Sequence, residues 1–222
     1  MTTRVAINSI EAEAPLATSL WAEGVDPIHA RGAVLADQAR TDLAARGFRS
    51  LLVSGDPETP ELVRPATRAI VVAALTQVLA ILDVDPPITR VPATILAEAA
   101  HDLAAACDAL LADGDGRRSL ETPSPTPLDA HARRSHDAIN GAAIAIFVGR
   151  QLGLPDTILR DLAHGMLLRD CAQAPAAVRS GALLPGDRDA VEQHAQNAFA
   201  VLQGLNWGNA AVRLVVQQHH ER

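Results

Sequence analysis

NGAAIAIFVGRQLGLPDTILRDLAHGMLLRD, residues 140–170, decides what kind of fold this chain builds. Ala, Ile and Val recur at helical spacing as far as Leu152, and Gly153 then interrupts the run. Pro155 stands where helices commonly begin, and TILRDLAHGMLL resumes the apolar period. The stretch therefore reads as two helices separated by a short break. The first extends back to Leu128 and the second on to Gln173. The small side chains of the first point to close packing between helices.

Working outward, the same period continues on both sides. DRDAVEQHAQNAFAVLQGL (187–205) is amphipathic, and NWGNAAVRLVVQQHHER (206–222) supplies a last helix. PAAVRSGALLPG, between them and residue 173, reads as a loop. Upstream, RPATRAIVVAALTQVLAIL (64–82) and TRVPATILAEAAHDLAAACDALLADG (89–114) are apolar helices, the first ended by DVDPP. DGDGRRSLETPSPTP (113–127) is the most linker-like stretch. Its DGDG lacks the third acidic ligand and closing Glu of a calcium loop, so it reads as a turn.

The N-terminal region has a different texture. RVAIN (4–8) and RSLLVSGD (49–56) are strand-like, and LATSLWAEG (16–24) and PIHARGAVL (27–35) read as a hairpin pair. DQARTDLAARG (37–47) is helical, with Gly47 placed to cap it. The fold expected is mainly α: a helical bundle preceded by a small β-containing (α+β) domain. The divisions fall at 1–56, a small β-rich domain, 57–127, connecting helices and linker, and 128–222, a helical domain.

Composition narrows the function. Of 222 residues 48% are hydrophobic and 20% charged, which is globular. Alanine fills 43 positions, and all 19 basic residues are Arg. Without Lys there is no Walker A lysine and no Schiff-base lysine. Two Trp, three Phe and no Tyr leave little for stacking bases, and a net charge of -7 argues against general binding to DNA or anionic membranes. Cys107 and Cys171 suit a reduced, cytoplasmic chain, and MTTRVAINSIEAE lacks the apolar core of a signal peptide. The apolar run 69–82 is too short and interrupted to span a bilayer.

Zinc-finger, HExxH, CxxC, GxSxG and GxGxxG patterns are absent. What remains is His and Asp on separate helices, the way bundles build metal sites. Six of the eight histidines (131, 136, 164, 194, 219 and 220) fall in the last 92 residues in company with Asp170, and His29 and His101 lie upstream. His29, His101, His131 and His164 read as surface or packing residues, and Trp21 and Trp207 as packing anchors. Arg133-Arg134 reads as a solvated helix start, though a basic pair near a phosphate pocket would be useful. Cys171 reads as core.

These residues carry a resemblance. NGAAIAIFVGRQLGL (140–154), LAHGMLLRD (162–170), RSGALLPGDRDAVEQH (179–194) and LVVQQHHER (214–222) resemble, in order, segments of the HD-GYP domain. That is the branch of the HD metal-dependent phosphohydrolases that hydrolyses cyclic di-GMP. The region LATSLWAEG to FRSLLV resembles the small domain often found ahead of it. HHER, at its distance from His194, is the most specific piece. The resemblance implies a bacterial signalling protein with an HD-type bundle. It assigns Asp170 and His194 to catalysis, and Asp170, His194, His219, His220 and His136 to metal. Asp137 competes with His136 for the first ligand position.

The departures from the family are as informative. Arg169 stands where the family has its HD histidine, and Ala172-Gln173 where it has Gly-Lys. The loop from Asp170 to Gly181 is about four residues shorter than usual. The resemblance stops at Arg222, ahead of the GYP loop and the last acidic ligand, so an incomplete domain is expected. A guanidinium has no lone pair to offer a metal and repels a cation beside it. The expectation is one weakly held divalent transition metal, Mn or Fe, and a phosphodiesterase that is weakly active or inactive. Arg169 is expected to pair with Asp170 or Asp137, or else to reach solvent along its apolar stem. Two other readings stay open. One is an active metal-dependent phosphohydrolase on another phosphate ester. The other is a non-enzymatic regulatory module binding a cyclic dinucleotide or a protein partner.

Overall fold

The computed structural model describes residues 2–21, 26–46, 48–54, 61–82, 91–113, 126–127, 130–171 and 188–221. Seven α-helices carry most of them: α1 (Asp37–Ala45), α2 (Pro65–Leu82), α3 (Ala93–Asp113), α4 (Ala130–Gln151), α5 (Asp156–Leu168), α6 (Arg188–Gly204) and α7 (Ala210–Gln218). The strands are β1 (Thr2–Ala6), β2 (Leu20–Trp21), β3 (Ser50–Ser54) and β4 (Thr126–Pro127). The structure is thus mainly helical. Gly47, residues 55–60, residues 114–125 of the linker-like stretch, and the 172–187 loop with Ala172-Gln173 lie outside the described residues.

The N-terminal strands form where β-branched and apolar residues alternate. β1 and β3 pair antiparallel, from Thr2 opposite Ser54 to Ala6 opposite Ser50. The expected hairpin partners do meet, through single antiparallel bridges at Pro15–Val34 and Leu20–His29. β2 runs parallel to β4, so a two-residue strand tethers this region to the chain just ahead of α4. Ile7, Ile10, Leu16, Leu20, Leu35, Leu43 and Leu51 close a small core of their own.

A second, larger core takes its buried residues from α2 to α7. α2 is long and apolar enough to cross a membrane by composition. Its Val71, Leu75, Val78 and Leu82 are instead buried at helical spacing against the other helices. Cys107 and Cys171 are buried in this core outside any disulfide. α4 stops at Gly153, whose φ of 72° is the left-handed conformation that glycine adopts without strain. Leu154 N–H reaches Gly149 C=O and Gly153 N–H reaches Arg150 C=O, closing the helix with two hydrogen bonds. The chain reverses there and α5 returns along α4. α6 ends the same way, with Asn206 in the left-handed position, and Asn209 then caps α7 by accepting from Val212 N–H at 2.9 Å.

A polar seam joins the two cores. Arg68, in the apolar helix α2, has no exposed surface. Its NH1 lies 2.9 Å from His136 Nδ1, and its NH2 donates to Asn140 Oδ1 at 2.7 Å, both on α4. Trp21, equally buried, packs on the His136 ring in a tilted arrangement, with ring centres 5.1 Å apart. Glu61 Oε1 accepts from both the N–H and the hydroxyl of Ser19. Burial pushes Arg68 down to about 10 against the raising charges of Glu61 and Asp113, so it stays a cation. Burial first, and then the Arg68 charge, push His136 down to about 3.

This shift makes stability depend on pH. Below the ordinary His value of 6.5 the unfolded chain gains a proton at His136 that the folded chain refuses until about 3. The folded state is therefore at no disadvantage above pH 6.5 and loses stability as pH falls through that window. One proton corresponds to at most ~1.4 kcal/mol per pH unit. Urea unfolding between pH 6.5 and 4.5 should show the wild type losing stability more steeply than His136→Gln. Parallel slopes would rule out a neutral His136 beside Arg68.

Candidate functional site

Two helix ends and the side of a third helix converge on one point. α5 ends at Leu168, with Arg169 as its cap, and Asp170 follows at once. His194 lies in α6. α7 ends at Gln218, and His219 and His220 come directly after. Gly165 sets how closely α5 and α7 approach, since a Cβ there would lie 2.5 Å from the Val215 Cβ. That approach carries the α7 end toward Asp170.

The Nε2 atoms of His194 and His219 lie 3.0 Å apart, and those of His194 and His220 3.3 Å. Asp170 Oδ1 is 3.1 Å from His194 Nε2 and 3.6 Å from His219 Nε2. The three histidines form a group able to hold a metal ion. Tetrahedral bonds of about 2.0–2.1 Å to nitrogen place ligand atoms about 3.3–3.4 Å apart, so the spacing fits. Protonation fits as well. His219 Nδ1 sits 2.7 Å from the Val216 carbonyl, which accepts its N–H and leaves Nε2 with a lone pair. His194 Nε2 meets Asp170, His219 and His220 together, and a single proton satisfies only one of them. Among the described residues, His194 Nδ1 is buried without a hydrogen-bond partner. A cation among the four donors would resolve the crowding at Nε2.

Arginines close the other side. Arg169 Nε donates to Asp170 Oδ2 at 3.1 Å, and its NH2 to the Asp137 carbonyl at 3.3 Å. Arg134 NH2 donates to the Asp170 carbonyl, so Arg134 anchors α4 to the site. Burial works against the Asp170 carboxylate, but hydrogen bonds from His194 and His219 and the Arg169 charge outweigh it. They hold its carboxyl well below the usual range. His220 is lowered by burial first and then by its His219 and His194 neighbours.

Of the residues singled out in the sequence, Asp170, His194, His219 and His220 are together. His136 is not in this group. Its Nδ1 faces the Arg68 guanidinium, so the ring belongs to the seam. Asp137 reaches the site through its backbone, where Arg169 meets it. His164 packs, accepting from Trp207 Nε1 at 3.4 Å beside an apolar cavity of about 230 Å³. His101 is exposed, and His29 bridges to Leu20. The His131 and Arg133 side chains lie outside the described residues. Sequence reasoning missed Arg68, for which a basic residue inside an apolar helix was the available signal.

No family model, curated protein or solved structure gives a significant match to this chain.

The α5–α7 contact offers a test. Alanine in place of glycine ordinarily stabilises a helix by about 0.5–1 kcal/mol. At Gly165 the new Cβ would meet the branched base of Val215 and come within 3.1 Å of the Val212 carbonyl. Gly165→Ala should therefore destabilise the fold by about 1–3 kcal/mol in urea unfolding. A stabilised variant would disprove the close approach.

Proposed function

We propose that this chain is a degenerate HD-GYP-like member of the cyclic di-GMP phosphodiesterase family. On this reading residues 128–222 form an HD-type bundle that holds one divalent transition ion, manganese or iron. Asp170, His194, His219 and His220 hold it. The observation that carries the reading is the convergence of three imidazole nitrogens and one carboxylate oxygen from three helices. A bound ion of this kind supplies Lewis acidity toward a phosphate oxygen.

Hydrolysis of a phosphodiester by this chemistry is served by two metals, one on each side of a shared carboxylate. Here the far oxygen of Asp170 is taken by Arg169. With Asp170 joining the three clustered histidines, four protein donors would complete the set around one ion, as in closed structural sites. Both features favour a cytoplasmic signalling protein with weak or lost turnover, which binds a cyclic dinucleotide or a protein partner. Under this reading Asp170 and His194 keep the positions of catalytic groups without a full centre around them.

Elemental analysis of protein purified without chelator should find at most about one transition metal per chain, weakly held and lost in His219→Ala. Cyclic di-GMP hydrolysis should not exceed a metal-only blank. Two or more tightly held metals, or saturable turnover abolished by His219→Ala, would overturn the reading.

A further inference from the structure

Resting on the single-ion reading above, we propose that Arg169 is a built-in cation for Asp170 that keeps the histidine site weak for divalent metal, and that Gly141 admits it. The carboxylate is divided between two claimants. Oδ1 faces His194 and His219, while Oδ2 accepts from Arg169 Nε. The guanidinium is held on its other side by the Asp137 carbonyl of α4. It lies over Gly141, where a Cβ would sit 2.6 Å from Arg169 NH1 and 2.8 Å from the Met166 Cε. Any larger residue at 141 displaces the guanidinium.

Two consequences have opposite signs. Without metal, Arg169 neutralises a carboxylate that is mostly withdrawn from solvent, so the helix ends stay together. With metal, the same fixed charge stands one carboxylate away from a divalent ion and repels it. At separations of a few ångströms and an effective dielectric near 20, that repulsion is worth tenfold or more in a dissociation constant. A residue that merely orients Asp170 as a ligand would act the other way. Its loss would weaken metal binding by about 10–100-fold. The sign of the change separates the two roles.

The test is titration of the full chain with cobalt(II), followed by its visible absorption, alongside thermal unfolding with and without cobalt. Arg169→Met should bind cobalt about tenfold or more tightly than wild type. It should melt lower without metal and recover when cobalt is added. Arg169→Lys, which keeps the charge, should stay near wild type. Gly141→Ala, which leaves Arg169 in the chain but moves it, should also bind more tightly. His219→Ala should give no cobalt spectrum. Arg169→Met binding equally or more weakly overturns the proposal. If wild type binds cobalt and His219→Ala does not, the single-ion reading survives that failure. Wild-type affinity in Gly141→Ala removes the role given to Gly141. Absence of the cobalt spectrum from wild type and every variant overturns both.

Discussion

A guanidinium without exposed surface can be placed in very few ways, and Arg68 imposes that restriction on the whole helical layer. It remains charged, so acceptors and carboxylates must surround it. His136 and Asn140 meet it on one face of α4, and Trp21 of the N-terminal region closes over His136. This fixes the rotation of α4 about its axis. Successive helical residues point about 100° apart. With 136 and 140 turned to Arg68, positions 137 and 141 fall on the next row. That row meets Arg169. The seam and the histidine cluster are thus two faces of one helix, held in phase by a buried charge.

Much of the fold was legible because helices announce themselves twice, by period and by punctuation. The α4–α5 reversal was readable from Gly153 and Pro155, and both act as their chemistry suggests. The N-terminal region was less readable. Its hairpin partners touch at single bridges, because Leu16 and Leu20 are placed by the small core as much as by a ladder. The seam was opaque for a physical reason. An arginine in an apolar helix is equally compatible with a stem along the surface and a head in water. Only the acceptors on α4, 68 and 72 positions further along the chain, decide that it is buried.

The site was partly legible for the same kind of reason. His194 and the His219-His220 pair were named from sequence, but their convergence depends on where α7 stops. Adjacent residues inside a helix diverge too far for both to address one point. The helix ends at Gln218, which allows both rings to turn toward His194. The choice between His136 and Asp137 had no sequence answer, since it is a question of rotation. The structure turns the His136 ring toward Arg68 of a different helix.

The two buried thiols give the molecule a pair of internal clocks. Cys107 is deep in α3, its thiol pushed up to about 12 chiefly by burial, so a thiol reagent reaches it as reactive thiolate only when the helical core opens. Cys171 adjoins Asp170 just past the end of α5, with its N–H on the Leu168 carbonyl. Local opening there would uncover one thiol without the other. The ratio of their alkylation rates therefore separates breathing of the α5 end from collapse of the whole bundle. Native labelling kinetics can follow that breathing without a chromophore, a ligand or an assay of turnover.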